Sequence, residues 1–226
     1  MIDATITYIS PPFVAPLSNH EPRHATAGSA RTVATITISL QEKSMDPYAI
    51  LDKYYYTNSK TYHYLLTHSK AVAEKALKAA AKVKHLNPDL KLVEEAALLH
   101  DIGVYMVHAN KIGCIGPMEY VAHGYIGREI LDKEGYPVHA LVCERHVGAG
   151  ISLLDIETFN LPLPKRDMIP VTIEEELVCY ADKFFSKKPT ELTKEITVDF
   201  ARKIVAKYGD AQLARFDRWH EMFAGA

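Results

Sequence analysis

Cysteine is scarce in this 226-residue chain: Cys114, Cys143 and Cys179 stand singly, with no CxxC pair. An odd, scattered set predicts reduced thiols and a cytoplasmic protein. Charge of one sign is also lacking. The formal net charge is -2, so the basic excess of a phosphate-tracking nucleic-acid surface is absent. No nucleic acid is expected as partner, although a small basic pocket for one phosphorylated ligand fits this balance. Long apolar runs are missing too. None approaches the ~18 residues that a membrane span needs. The N-terminus lacks the basic region and apolar stretch of a secretion signal. Neither a membrane nor a secretory route is expected.

What is present is a core's worth of apolar side chains, 48% hydrophobic by composition, which suits one domain plus an extension. Residues 1–44 are rich in Ser, Thr, Ala and Pro and poor in charge. Within them Val33 to Ser39 alternates like a single strand, and a lone strand has no partner. A disordered or loosely attached extension is expected there. Met45 stands where helical patterning starts. One expectation is that the natural protein begins at Met45 and that 1–44 is a start-site artefact; the rival is a regulatory or targeting tail.

From Met45 to residue 226 the pattern is helical. A short helix is expected over 46–56 and a long one over 60–84, where Leu65, Val72, Ala76, Leu77, Ala80 and Val83 recur at spacings of three and four. Asn87 and Pro88 read as cap and first residue of a helix running to Asp101, ended by Gly103. Further helices are expected over 118–133 and 138–147. The stretch from Leu161 to Arg166 holds two prolines and cannot be helical. Thr172 and Glu175 form a capping box for a helix over 173–186. Helices over about 193–207 and 209–223 close the chain. With no βαβ alternation, the class is all-α, a bundle of roughly seven or eight helices.

Histidine is plentiful, at 11, and several are placed on apolar faces. His68 lies between Leu65 and Val72, His123 precedes Ile126 and Ile130, and His146 follows Val142 and Cys143. His100 shares a face with Ala96 and Ala97, while the adjacent Asp101 is turned about 100° away. Asp182 follows Val178 and Cys179. A buried imidazole or carboxylate is costly unless paired, hydrogen-bonded or metal-bound, and one shared site satisfies all six. Singly, each histidine reads as a core residue. Tyr54, Tyr55 and Tyr56 read as packing, and His108 and His139 as helix-surface or loop-edge residues. Imidazole with carboxylate suits Mn, Fe, Co, Ni or Zn rather than Ca.

The ordered set Thr67-His68-Ser69, Leu99-His100-Asp101-Ile102-Gly103 and Tyr180-Ala181-Asp182-Lys183 resembles the HD superfamily of metal-dependent phosphohydrolases. That superfamily is defined by a histidine, an adjacent His-Asp and a distant aspartate. The run from His100 to Gly103 is the signature of its HDIG subgroup, and the chain looks closest to uncharacterised members of that subgroup. His123 and His146 look like the extra histidines of two-metal members. The resemblance covers residues 46–190 or so, with nothing matching the stretch before Met45. It implies a helical HD domain over 45–226 and one or two divalent transition-metal ions. His68, His100, Asp101 and Asp182 would hold the first, and Asp101 would bridge to a second completed by His123 and His146. It also implies hydrolysis of a small, nucleotide-like phosphoester or phosphoanhydride. Asp101 and Lys183 would be catalytic, and Arg145, Lys183, Lys165 and Arg166 would bind the substrate phosphate. Two other readings stand beside it: an HD-type di-iron oxygenase, which uses the same ligand set, and a non-catalytic metal- or nucleotide-binding module. Oligomeric state is open, with a homodimer allowed.

Overall fold

Each of the first three helices begins where a side-chain oxygen meets backbone N–H groups that have no helical partner. The computed structural model describes residues 45–224. Asp46 accepts from the N–H of Tyr48 at 3.0 Å and starts α1 (Pro47–Tyr54). Ser59 accepts from Tyr62 at 3.1 Å and starts α2 (Lys60–Ala80). Asp89 accepts from Lys91 and Leu92, each at 3.0 Å, and starts α3 (Leu90–Leu99). Asn87 is therefore not the cap that its place before Pro88 suggests. It sits at φ +52° and closes a 3-10 turn over Lys84–Leu86.

After α3 the chain makes a 3-10 turn over Ile102–Met106 and a short antiparallel hairpin, β1 (His108–Ala109) with β2 (Cys114–Ile115). Then come α4 (His123–Glu134), α5 (Pro137–Arg145), α6 (Leu153–Thr158), α7 (Ile173–Asp182), α8 (Val198–Val205) and α9 (Asp210–Phe223). The Thr172–Glu175 capping box forms as read: Thr172 Oγ1 accepts from the Glu175 N–H at 3.3 Å, and Glu175 Oε2 accepts from that of Thr172 at 3.4 Å. The segment over 161–167 is non-helical. The fold is all-α, with nine helices among the described residues. The hairpin and α6, which has its own capping box at Ser152 and Asp155, escape periodicity because each is too short to show a period. No helix among the described residues is long and apolar enough to cross a membrane. Residues 1–44, with the alternating run at Val33–Ser39, lie outside the described residues.

Two buried clusters make the core. One gathers Leu51, Leu65, Leu99, Ile102, Leu131 and Met168. The other gathers Val72, Val93, Ala96, Leu177, Phe216 and Trp219. Helix α2 contributes to both, and His68 sits on it between Leu65 of the first and Val72 of the second. Helix α3 likewise passes from Ala96 and Ala97 to Leu99 just before His100. The polar residues thus lie where two apolar cores adjoin.

Gly103 does not end α3 as expected; the helix stops at Leu99. Its missing side chain serves close approach instead. A Cβ there would collide with the His123 carbonyl oxygen and come within 2.6 Å of the Gly127 nitrogen. Gly124 likewise has Val147 Cγ2 2.7 Å from where a Cβ would stand. These contacts set α4 against the turn after Asp101 and against α5, which delivers His123 to the site.

Candidate metal centre

Three of the four clustered histidines stand at the end of a helical segment. His100 is the C-cap of α3, His146 that of α5, and His123 that of the 3-10 turn over Tyr120–Ala122. Carbonyls in a last helical turn have no intrahelical donor. Each histidine supplies one through Nδ1, to the carbonyl three residues back: His100 to Ala97 at 2.7 Å, His123 to Tyr120 at 2.5 Å, His146 to Cys143 at 2.7 Å. A carbonyl only accepts, so each Nδ1 carries a hydrogen and each Nε2 is left as the ligating atom, oriented as metal-binding histidines are. His68 differs. It lies in the middle of α2, its Nδ1 has no partner, and it is aimed by the helix and by the 3.1 Å hydrogen bond between its Nε2 and Asp182 Oδ1.

The inward atoms form two groups that share Asp101. Around its Oδ2 and the Oδ1 of Asp182 stand His68 Nε2, at 3.5 and 3.1 Å, and His100 Nε2, at 3.3 and 3.5 Å. Around Asp101 Oδ1 stand His123 Nε2 at 3.3 Å and His146 Nε2 at 3.5 Å, themselves 3.1 Å apart. All six residues are buried. His100 Nε2 and both Asp101 oxygens make no well-directed hydrogen bond despite these short separations. Atoms that face one another without bonding are what a shared cation satisfies. The donor set, imidazole with carboxylate, fits a divalent transition metal.

The electrostatics follow from the packing. Burial works against the charge on Asp101, yet His100 and Lys187 hold its carboxyl well below the usual range. Burial opposes Asp182 in the same way, and Lys183 and Lys187 outweigh it. His146 is pushed down to about 3 by burial, with His100 and His123 adding to the effect. His100, equally buried, is drawn up to about 9 by Asp101 and Asp182.

The surrounding backbone is tied down. Tyr55 donates its hydroxyl to the Ile102 carbonyl at 2.8 Å and accepts from the Tyr105 N–H at 3.1 Å, pinning the turn after Asp101. Buried thiols take up two more carbonyls, Cys143 that of Leu99 and Cys179 that of His146, each at 3.2 Å.

The family model described as HD domain matches residues 65–186, a span that holds all six clustered residues. The chain belongs to the HD-domain family. It is 36% identical over 132 residues to an uncharacterised protein of Methanocaldococcus jannaschii, covering 57% of this chain and 70% of that one. It is also similar to two proteins named tRNA (cytidine(56)-2'-O)-methyltransferase. That of Thermoplasma volcanium is 33% identical over 141 residues, 62% of this chain and 37% of its own length. That of Picrophilus torridus is 37% identical over 115 residues, 50% and 30%. This HD protein therefore spans about a third of the methyltransferase-named chains. No solved structure matches it.

The cations expected to bind substrate fare unevenly in this HD domain. Lys183 touches the cluster, but its ammonium donates to Asp182 Oδ2 and to the His146 carbonyl, both at 2.9 Å. Partly buried, it braces them. Arg145 pairs with Glu175 at 2.7 Å. Arg166 pairs with the buried Glu144, which Arg128 also holds. Lys165 is exposed, with Glu157 3.9 Å away. Nearby carboxylates thus hold Arg145 and Arg166, while Lys165 stands in solvent. His108 is exposed as read, whereas His139 is partly buried against Glu95 at 3.1 Å. The residue that sequence reading missed is Lys187. Its Nζ lies 2.9 Å from Asp101 Oδ2 and 3.7 Å from Asp182 Oδ1. It follows the end of α7 by five residues, where no periodicity points inward.

Proposed function

We propose that this HD-domain protein is a metal-dependent phosphohydrolase acting on a small, nucleotide-like phosphoester or phosphoanhydride. The observation that carries the reading is the bipartite cluster in which Asp101 presents one oxygen to each half. His68, His100, Asp101 and Asp182 would hold one ion, and Asp101, His123 and His146 a second. Bound there, divalent metal would acidify water and polarise a phosphoryl oxygen. The chain's own part is to aim the four imidazoles, to place two buried carboxylate charges beside them, and to keep bulk water away from all six groups. Lys183 holds Asp182 and the His146 carbonyl in place.

The name borne by two relatives raises methyl transfer as a competing activity. The shared segment is about a third of those proteins, and the clustered imidazole and carboxylate groups suit hydrolysis better. A small phosphorylated substrate is therefore favoured over a nucleic-acid partner. The deciding experiment is metal analysis of the purified protein, with phosphate release from a panel of nucleotides and phosphodiesters in added Mn, Co or Ni. Bound metal with phosphate release is expected. Two irons per chain, oxygen consumption and no phosphate release would replace this reading with the di-iron oxygenase.

A further inference from the structure

Two lysines approach the cluster, and they do so differently. Lys183 reaches it from behind, its side chain 9% exposed. Lys187 reaches it from the rim, its side chain 21% exposed, beside a small cavity lined in part by His68 and Asp101. The oxygens that Lys187 approaches, Asp101 Oδ2 and Asp182 Oδ1, are the two that face His68 and His100 Nε2. The ammonium therefore competes for the same carboxylate oxygens that the first ion would use. Two cations sharing two oxygens in a buried site repel strongly. Lys183 has a backbone carbonyl, that of His146, as second partner. Lys187 has a flexible stem, solvent on one side and the ring of Tyr120 5.9 Å from its Nζ. That ring in turn lies 4.7 Å from the His123 ring, on the other half of the cluster.

We propose that Lys187 changes partners. Its ammonium stands beside Asp101 Oδ2 and Asp182 Oδ1 at the rim; with metal on those oxygens it would turn outward and grip a phosphate oxygen of the substrate. The inference rests on the phosphohydrolase reading and adds to it the group that recognises phosphate. A lysine ammonium suits that task as a compact charge with three donors.

The test uses the full chain, stripped of metal by a chelator, as wild type and as Lys187→Met, which keeps the stem and removes the charge. Calorimetric titration with Mn2+ is followed by titration of the loaded protein with inorganic phosphate. The variant should bind Mn2+ about tenfold more tightly, because no ammonium must be displaced, and phosphate about tenfold more weakly. A lysine that only pairs with the carboxylates would tighten Mn2+ binding in the same way when removed but leave phosphate binding unchanged, so the phosphate titration decides. Unchanged or weaker Mn2+ binding by the variant, or unchanged phosphate binding, overturns the proposal and leaves the phosphohydrolase reading standing. A wild-type protein that takes up no divalent metal brings both down together.

Discussion

The two halves of the cluster are built by different means. His123 and His146 are tethered through Nδ1 to carbonyls at helical ends and share one oxygen of one carboxylate, and the ammonium that reaches this half, that of Lys183, meets the His146 backbone carbonyl. The other half has two carboxylates, one tethered histidine, one untethered histidine and Lys187. The first kind depends on backbone placement, because its ligands are aimed by chain ends brought together through glycine contacts. The second kind depends on charge, because two buried carboxylates need a cation whatever the backbone does. A site can thus be made specific by geometry on one side and strong by charge on the other.

Removing the shared residue should abolish the distinction. Asp101→Ala is expected to lose all bound metal and at least about a thousandfold in activity, some 4 kcal/mol of transition-state stabilisation. Full metal occupancy in that variant, measured by elemental analysis, would sink the assignment. His146→Ala should separate the halves. Metal in the charge-rich half should persist while the other is lost, with activity down by about a hundredfold. Equal loss from both halves would show one indivisible site. Gly103→Val attacks the backbone placement alone. The new side chain meets the His123 carbonyl and Gly127, so stability should drop by about 1–3 kcal/mol, read as a lowered Tm. The histidine-paired half should also lose metal first. The smallest effect is expected from Cys179→Ser. A hydroxyl can donate to the His146 carbonyl as the thiol does, so metal content should hold and stability should change by less than about 1 kcal/mol. A large fall in metal would make the thiol a participant.

Much of this was legible in advance. Helical spacing put His68 between Leu65 and Val72 and Asp182 below Val178, and both point inward because a helix that buries one stripe buries whatever lies on it. The capping box at Thr172 was readable because it involves atoms three residues apart. The cap at Asp89 was misread in favour of Asn87, where a turn of left-handed backbone intervened. Gly103 was legible as special but not for the right reason, since its neighbours His123 and Gly127 are more than 19 positions away along the chain. The sequence reading named Arg145 and Arg166 without their carboxylate partners, Glu175 and Glu144, which lie 30 and 22 positions away along the chain.

The sequence by itself determined the all-α class, most of the helices, and the six side chains that would share a site. Each of those rests on local period or on a residue type too costly to bury alone. Only the tertiary structure decided how the six divide about Asp101, which lysine braces and which one faces the rim, and which cations were already paired. Those are distances between residues far apart in the chain, and nothing in local spacing encodes them.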